Sequence, residues 1–449
     1  MARFTAGGTV RLALGLLAVL IGAGPAGASD VFSYGVTFKH NGANKPLQVS
    51  AWIPDDVPLR GILYLPPSWG GDTRYYVTRE QYQAFATALG LGIVGIQDRD
   101  GWPGHYEGAT GAEIRSNVQL VLDAAAAGLS CPQISNAPLA FYGFSKGGWM
   151  DGEIASYMPE RTICFVADKS STWINSISDA AVYAPGLLIG GQLDTMAGSG
   201  AAYSAFIKWR SPKGGEVALV EDWQVGHSMT DFRLVESFIS ECISRRYPAG
   251  QLPSATPGNP IPLNQIAPGS GWLVESSYSG GFSWIRCPEA APAGSYTKNA
   301  ATACWVPTRT MAMVLRAENA ANSGTAATPI DILSTSTPQA GAYAFQAGQT
   351  IDLLVNNSWL NPADITRVEV FCEDQLIGDF ATLPPGGVSL PYTLTDRGVG
   401  TFWTQVTYLY NGQPTYATDY FTAVTVPEPA TLALLCGGWM LTCLRRRRQ

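Results

Sequence analysis

The amino-acid sequence predicts an α/β region with a mostly parallel β-sheet, followed by an all-β sandwich. In residues 29–247, short strands that are apolar on both faces alternate with helical segments, the pattern of a parallel sheet covered by helices on both sides. In residues 328–425, strands of alternating polarity are separated by Gly, Pro and Asn turns without helices, which is typical of a sandwich. The length of 449 residues suits this division, because single domains commonly contain about 100–200 residues.

The first region opens with an antiparallel hairpin and continues as an alternation of strands and helices. Asn41-Gly42 lies between two segments of alternating polarity, which is a strong hairpin signal. Six short apolar strands follow: GILYLPP, LGIVGIQD, APLAFYGFS, RTICFVAD, APGLLIGGQLD and EVALVEDW. Five helices accompany them: TREQYQAFATALG, GAEIRSNVQLVLDAAAAGL, GGWMDGEIASYMP, AGSGAAYSAFIKWR and MTDFRLVESFISECISRR.

Residues 248–327 are expected to form an appendage to the α/β region. A linker-like run, PAGQLPSATPGNPIP, precedes a helical segment, TRTMAMVLRAENAA, and three tryptophans at 272, 284 and 305. Six cysteines lie between the chain ends, and an even number permits disulfides in an oxidising compartment. Cys287 and Cys304 are the nearest local pair, so a disulfide between them is expected to help hold the appendage.

The region 328–425 contains the strand segments TIDLLVNNS, ITRVEVFCEDQLIGDF, GVSLPYTLT and GTFWTQVTYLYNGQPTYATDYFTAVTV. Within them, VEVFCEDQLIGDF followed by GTFWTQVTYLY resembles the Ig-like modules of bacterial extracellular enzymes. This resemblance implies an Ig-like sandwich.

Residues 1–28 have the features of a secretory signal peptide. Arg3 and Arg11 precede the apolar run LALGLLAVLIGAG, and Ala26–Ala28 (AGA) supplies a small-residue cleavage site before Ser29. An uncleaved membrane anchor is the alternative interpretation.

Residues 426–449 form a second targeting segment. Val426-Pro427-Glu428-Pro429 precedes 15 apolar residues and then Arg445–Arg448. A membrane-spanning helix needs roughly 20 residues, and the arginines would stay on the cytoplasmic side. The three parts resemble the PEP-CTERM sorting signal of Gram-negative bacteria, which implies processing by an exosortase, transient membrane anchoring and a final location at the cell surface, outer membrane or extracellular matrix. A plain C-terminal anchor is the alternative.

The net charge argues against nucleic acid or another anionic polymer as a partner. The formal charge of the chain is −7, and without the two targeting segments it becomes about −12. The sequence contains no C-x-x-C pair and no His/Cys cluster, so no structural zinc site is expected. No cofactor is predicted.

A serine in AFYGFSKGGW has the setting of a catalytic nucleophile. Gly143, Ser145 and Gly147 match Gly-x-Ser-x-Gly, with an apolar strand before the serine and a helix beginning at Lys146. Such a turn forces strained backbone angles on the serine, and glycines two positions away prevent collisions with neighbouring backbone. The helix also directs its N-terminal dipole at whatever the serine attacks.

A base and an acid for this serine are expected near later strand ends. Of the three histidines, His227 follows the last strand of the α/β region, whereas His40 falls in the hairpin turn. A serine hydroxyl needs such a base to remove its proton. Asp194, at the end of the run GLLIGGQLD, gives the order Ser, Asp, His. Asp168, at the end of TICFVAD, is the rival acid.

Two backbone N–H groups are expected to stabilise the negative charge that develops on the substrate oxygen. One is that of Lys146, directly after the nucleophile. The second is that of Ser68 or Trp69 in the loop LYLPPSWGGD, since the prolines of this loop carry no N–H. An ordinary Gly-Gly loop is the alternative interpretation.

The elbow, acid and histidine together resemble the α/β-hydrolase family over residues 31–247, nearest to secreted carboxylesterases of the dienelactone-hydrolase, feruloyl-esterase and polyester-depolymerase types. The resemblance implies a serine hydrolase acting on a carboxylic ester, such as a polysaccharide ester or a polyester. Two alternatives stay open: a prolyl-oligopeptidase-like peptidase, and a non-catalytic surface protein on a hydrolase scaffold. Trp102 and His105 are expected either to line the pocket or to belong to a structural loop.

Overall fold

The computed structural model describes residues 30–427, apart from 41–42, 56, 98–109, 171–180, 198, 212–213, 268, 277–287, 322–328 and 359. The predicted leader at 1–28 and the predicted tail beyond Pro427 lie outside the described residues, and so do Trp102, His105, Trp284 and Cys287. None of the helices in the described ranges is long and apolar enough to span a bilayer.

Eight strands form the main sheet, in the spatial order β1-β2-β4-β3-β5-β6-β7-β8. β1 and β2 form an antiparallel hairpin, β2 is antiparallel to β4, and all later neighbours are parallel. Strands β3, β6 and β7 are buried along their whole length, because the sheet is covered on both faces. The strand bounds are β1 (Phe32–His40), β2 (Ala43–Trp52), β3 (Gly61–Leu65), β4 (Leu91–Gln97), β5 (Leu139–Phe144), β6 (Thr162–Asp168), β7 (Gly186–Gly191) and β8 (Val217–Asp222).

Helices connect the parallel strands, and two of the described helices begin at a polar side chain that accepts a hydrogen bond from a first-turn N–H group. Thr110 and Glu113 form a reciprocal capping box at the start of the second helix. Asp231 caps the fifth helix through the backbone N–H of Arg233. The helices are α1 (Glu80–Leu89), α2 (Gly111–Gly128), α3 (Lys146–Tyr157), α4 (Ser199–Arg210), α5 (Phe232–Arg246) and α6 (Arg309–Ala321). This sheet order with its helices is the α/β-hydrolase fold, and the predicted fold class is confirmed.

Three further sheets follow the main sheet. A small sheet contains β9 (Trp272–Val274), β10 (Ala290–Pro292) and β11 (Cys304–Val306). The second has the order β12-β14-β17 and the third the order β13-β19-β18-β15-β16. Ile351 of the second sheet and Val368 and Phe402 of the third share one apolar core, so these two sheets form a sandwich. Its strands are β12 (Ile330–Ser334), β13 (Phe345–Gln346), β14 (Thr350–Asn357), β15 (Ile365–Cys372), β16 (Gln375–Phe380), β17 (Val388–Thr393), β18 (Gly398–Tyr410) and β19 (Gln413–Val426).

The sandwich and the α/β region share a buried boundary. Trp403 and Tyr420 of the sandwich belong to the same apolar core as the main sheet. On α5, the Ser237 hydroxyl lies 2.8 Å from Thr422 Oγ1 and accepts a hydrogen bond from Thr401 Oγ1 at 3.1 Å, and all three groups are buried. Residues Val31–Val426 consequently form one compact unit.

The predicted disulfide of the appendage is not present, since Cys304 carries a free thiol. The thiol is buried on β11, where its Sγ accepts a hydrogen bond from Leu219 N at 3.3 Å. The appendage is instead held by packing: Val274, Cys304 and Val306 belong to the core of the α/β region. Cys131, Cys164, Cys242 and Cys372 are free thiols as well.

Candidate active site

Ser145 occupies the tight turn between β5 and α3. Its backbone angles are φ 58° and ψ −121°, a left-handed conformation that costs a non-glycine residue free energy. Its N–H donates a hydrogen bond to the Asp168 carbonyl at 2.7 Å, which ties the turn to the end of β6. A Cβ on Gly143 would lie 2.3 Å from the carbonyl carbon of Gly147, so the turn requires glycine at position 143.

His227 joins Ser145 to Asp194. Its Nε2 lies 2.9 Å from Ser145 Oγ, and its Nδ1 lies 2.8 Å from Asp194 Oδ2. The His227 side chain is 18 % exposed, so one part of the ring faces a solvent-accessible space. The structure therefore brings the predicted nucleophile, base and acid into one hydrogen-bonded chain.

The second oxygen of Asp194 is held by backbone. Oδ1 accepts hydrogen bonds from Met196 N at 2.8 Å and Ala197 N at 2.9 Å. Burial raises the pKa of Asp194, but the hydrogen bonds from His227, Ala197 and Met196 outweigh it and hold the pKa below its usual value. An ionised carboxylate only accepts hydrogen bonds, so Nδ1 of His227 carries the proton and Nε2 is free to accept the Ser145 hydroxyl.

Asp168, the rival acid, does not contact His227. Its Oδ1 accepts from Lys169 Nζ at 3.0 Å, and its Oδ2 accepts from Thr230 N at 2.9 Å. Lys169 also donates to Asp222 Oδ2, and both Asp168 and Lys169 are completely buried. Burial raises the pKa of Asp168 to about 6, although the neighbouring Lys169 opposes the rise. Asp168 therefore fixes the chain three residues after His227.

The loop after β3 lies directly against the serine turn. A Cβ on Gly147 would lie 2.6 Å from the Pro66 carbonyl oxygen, so glycine at position 147 permits this approach. Gly71 N donates to Ser68 O at 2.9 Å, which closes a turn over residues 68–71. Ser68 borders the cavity described next, whereas the Trp69 side chain is 66 % exposed. Lys146 directs its Nζ at the Trp149 ring, 3.6 Å from the centroid.

A cavity of about 390 Å³ opens beside His227. Its wall is mainly apolar and aromatic, with Leu65, Tyr76, Tyr142, Phe144 and Met229 among the lining residues. The Phe144 ring centroid lies 4.9 Å from that of His227. Sequence reasoning did not select these residues, although Tyr142 directly precedes the Gly-x-Ser-x-Gly motif, Phe144 lies within it, and the period of a strand places both on one face.

A metal centre is not among the features of the described part of the chain, where no group of three or more His, Cys, Asp or Glu side chains could hold an ion. The polar groups that converge beside the cavity are the serine, the histidine and the carboxylate. Fold and side-chain arrangement together define the class: an α/β-hydrolase fold with a Ser-His-Asp hydrogen-bonded chain at the carboxyl edge of its sheet.

Solved structures of similar fold include several hydrolases. A cold-adapted esterase from an Arctic intertidal metagenomic library is 16 % identical, with 46 % of this chain and 91 % of that chain covered and a TM-score of 0.31. An S-formylglutathione hydrolase from Agrobacterium tumefaciens is 14 % identical, with 48 % and 95 % covered and a TM-score of 0.35. A dienelactone hydrolase from Anabaena variabilis is 17 % identical, with 48 % and 97 % covered and a TM-score of 0.33.

No protein-family model matches the sequence. No curated protein matches it either.

Proposed function

We propose that this protein is an exported serine hydrolase that cleaves carboxylic esters through an acyl-enzyme. The observation that carries the proposal is the hydrogen-bonded chain from Ser145 Oγ through His227 to Asp194, at 2.9 and 2.8 Å, on a serine held at positive φ. A serine, a base and an orienting carboxylate at these distances are what nucleophilic catalysis requires.

The proposed reaction has two halves that use His227 in the same way. Ser145 Oγ attacks the acyl carbon while His227 Nε2 takes the hydroxyl proton, and the protonated ring then gives that proton to the leaving alcohol as the ester C–O bond breaks. A water molecule next attacks the acyl-enzyme, again losing its proton to Nε2. The bond between the acyl carbon and Ser145 Oγ then breaks, the carboxylic acid leaves, and His227 returns the proton to Ser145 Oγ. Asp194 stabilises the positive charge of His227 in both halves.

The N–H groups of Lys146 and of Ser68 or Trp69 are proposed to bind the oxyanion. The tight approach of Gly147 to Pro66 supports this assignment, because it places the loop after β3 beside the first turn of α3. Removing one donor of this kind commonly lowers kcat by about 100- to 1000-fold.

Labelling with a fluorophosphonate probe tests the nucleophile. We expect stoichiometric labelling of the wild-type protein and none of Ser145→Ala, because the probe requires an activated serine. Ser116→Ala, at an exposed position of α2, is the matched control and should label like the wild type. A folded wild-type protein that does not react would favour the alternative of a non-catalytic surface protein.

Paired substrates distinguish an esterase from the peptidase alternative. An ester and an amide with the same acyl group and the same aromatic ring in the leaving group, a p-nitrophenyl ester and the matching p-nitroanilide, are compared by kcat/KM. We expect the ester to be hydrolysed at least about 1000-fold faster, because the leaving alcohol needs less assistance from the general acid than an amine. Comparable rates on both would favour a peptidase.

Export and sorting belong to the same proposal. The features of residues 1–28 and 426–449 support cleavage of a leader and processing by an exosortase. Mass spectrometry of the protein from a Gram-negative host that encodes an exosortase is expected to show both ends removed. An intact Arg445–Arg448 tail on the mature protein would contradict the sorting assignment.

A further inference from the structure

A second cavity lies next to the one beside His227. It has a volume of about 700 Å³, and the two cavities share Tyr75, Tyr76, Tyr142 and Met229 as lining residues. We call this second cavity the outer cleft. Because the two cavities share these four lining residues, they are neighbours, and a ligand held beside His227 lies next to the outer cleft.

The outer cleft is built from both halves of the molecule. Arg79 and Glu80 line it from the start of α1, and Tyr343 lines it from the segment between β12 and β13 of the sandwich. Glu80 Oε1 accepts a hydrogen bond from Ala342 N at 2.6 Å, which fixes the residue next to Tyr343 on the end of α1. The sandwich thus contributes a side chain to a cleft that adjoins the cavity beside His227.

Aromatic rings form much of this wall. The ring centroids of Tyr75 and Tyr76 are 3.9 Å apart, and those of Tyr76 and Tyr82 are 4.8 Å apart. Tyr75 and Tyr343 are 46 % and 53 % exposed, so both present ring surface to a ligand. Tyrosine offers a flat apolar face and a hydroxyl at its edge, which suits a ring-shaped ligand that is apolar on its faces and polar at its rim.

The polar groups of the outer cleft include donors and charged acceptors. Arg79 only donates hydrogen bonds, whereas the carboxylates of Glu80 and Asp231 only accept them, and Thr78, Gln81 and Thr230 can do both. The two carboxylates already accept hydrogen bonds within the protein, Glu80 from Ala342 N and Asp231 from Arg233, and each oxygen can accept more than one. An aliphatic polyester carries acceptor oxygens along its chain and no donors, so it could not use the remaining acceptor sites. A polyhydroxylated alcohol satisfies both kinds of group, since each hydroxyl donates and accepts.

We propose that the outer cleft binds the alcohol part of the substrate as a carbohydrate, so that the protein removes acyl groups from sugar hydroxyls, with Tyr343 of the sandwich as a specificity-determining residue. This inference rests on the proposed esterase function. The smaller, mainly apolar cavity beside His227 then holds the acyl group, and the sugar ring packs on the tyrosines that lead away from it. Binding energy from this remote part of the substrate lowers the barrier at Ser145.

The test compares three esters that differ in their alcohol part: p-nitrophenyl acetate, an O-acetylated xylo-oligosaccharide and a 3-hydroxybutyrate oligomer. In Tyr343→Ala, we expect the ratio of kcat/KM for the acetylated oligosaccharide to kcat/KM for p-nitrophenyl acetate to fall about tenfold. Tyr343→Phe should retain most of that ratio because the ring remains. Tyr410→Ala, an exposed tyrosine of the hairpin between β18 and β19, is the matched control and should leave both values unchanged.

A binding measurement separates this inference from the proposed function. Calorimetry with Ser145→Ala and the unacylated xylo-oligosaccharide should show binding that weakens when Tyr343→Ala is added. A wild-type protein that hydrolyses no ester would contradict the proposed function. The calorimetry would still show whether the outer cleft binds the oligosaccharide. A ratio and an affinity that do not respond to Tyr343→Ala would overturn the inference, and so would faster hydrolysis of the 3-hydroxybutyrate oligomer than of the acetylated oligosaccharide.

Discussion

Asp168, the last residue of β6, and Lys169, the residue after it, form a buried ion pair that contacts two other parts of the chain. Lys169 has φ 49° and points its ammonium group into a site with no solvent exposure, between the carboxylates of Asp168 and Asp222. The same Asp168 accepts a hydrogen bond from Thr230 N. A buried cation between two carboxylates thereby connects the ends of β6 and β8 to the chain that carries His227.

The two aspartates should differ in their effect on catalysis. Asp194→Asn removes the charge that stabilises protonated His227, so kcat for p-nitrophenyl acetate should fall by about three to four orders of magnitude. Asp168→Asn acts only through the position of His227 and should cost about tenfold. Stopped-flow or steady-state kinetics on both variants shows which substitution lowers kcat more. A larger loss in Asp168→Asn would contradict the assignment of Asp194 as the acid.

Replacing Lys169 should affect stability more than catalysis. Lys169→Met leaves two carboxylates buried without their cation, and breaking such a network commonly costs about 3–5 kcal/mol of unfolding free energy. Urea unfolding at neutral pH measures the loss. A loss under about 1 kcal/mol would show that the buried charges contribute little.

Among the contacts between elements at the candidate site, the close approach of α3 to the loop after β3 holds the serine turn against that loop. A side chain at position 147 would meet the Pro66 carbonyl, which is backbone and cannot rotate away. The loop would have to shift, and with it the proposed oxyanion donor. The turn thus couples two elements that are far apart in sequence through one missing Cβ.

Gly147→Ala should therefore lower kcat by about 100-fold or more, with a smaller change in the KM of p-nitrophenyl acetate. Gly200→Ala is the matched control on α4, because a Cβ there meets nothing within 4 Å. Its kcat should equal that of the wild type. An equal kcat of the two variants would show that the position of the loop after β3 does not affect catalysis.

Much of the main sheet and of the candidate site could be predicted from the sequence. The contacts that could not be predicted have a common cause. The alternation of apolar strands and helices gave the sheet, and the glycines around Ser145 with the positions of Asp194 and His227 indicated the site. The contacts of Asp168 with Thr230 and of Glu80 with Ala342 join residues that are distant in the chain. The two-residue strand β13 exists only because it pairs with β19. Secondary-structure propensity and residue spacing depend on neighbouring residues in the sequence, so they do not predict such long-range pairs.

Buried carboxyl groups in several parts of the molecule make the free energy of unfolding depend on pH. Burial is the main cause that raises the pKa of Glu216 and Glu236 to about 8 and of Glu241 and Glu318 to about 7. These groups hold their protons longer in the folded state than in the unfolded chain. Between the unfolded pKa near 4.5 and these folded values, raising the pH therefore favours unfolding.

The free energy of unfolding should accordingly decrease as the pH rises from about 5 to about 8. Urea denaturation across this range measures the slope. Glu236→Gln, which keeps the shape of the buried side chain without its proton equilibrium, should flatten the slope. Glu160→Gln, a matched change at a half-exposed position, should not. A stability that rises steadily over this range would contradict the direction of these pKa shifts.

The shared core of the two halves predicts cooperative unfolding. Trp403 and Tyr420 of the sandwich are packed into the core of the α/β region, so neither half buries its apolar surface alone. We expect a single calorimetric transition. Ser237→Ala, which removes a buried hydroxyl bonded to Thr422 and Thr401, should lower its midpoint by a few degrees without splitting it. Two resolved transitions in the wild-type protein would show that the halves unfold independently.

The packing of β19 on α1 has a consequence for the order of events during biogenesis. The ribosome releases α1 long before β19, since β19 ends at Val426. Until that strand arrives, the surface of α1 that it covers lies open, and the hydrolase half cannot reach its final packing. A chain that crosses a membrane from its N-terminus would therefore stay incompletely folded, and pliable enough for a translocation channel, until its last strand has followed.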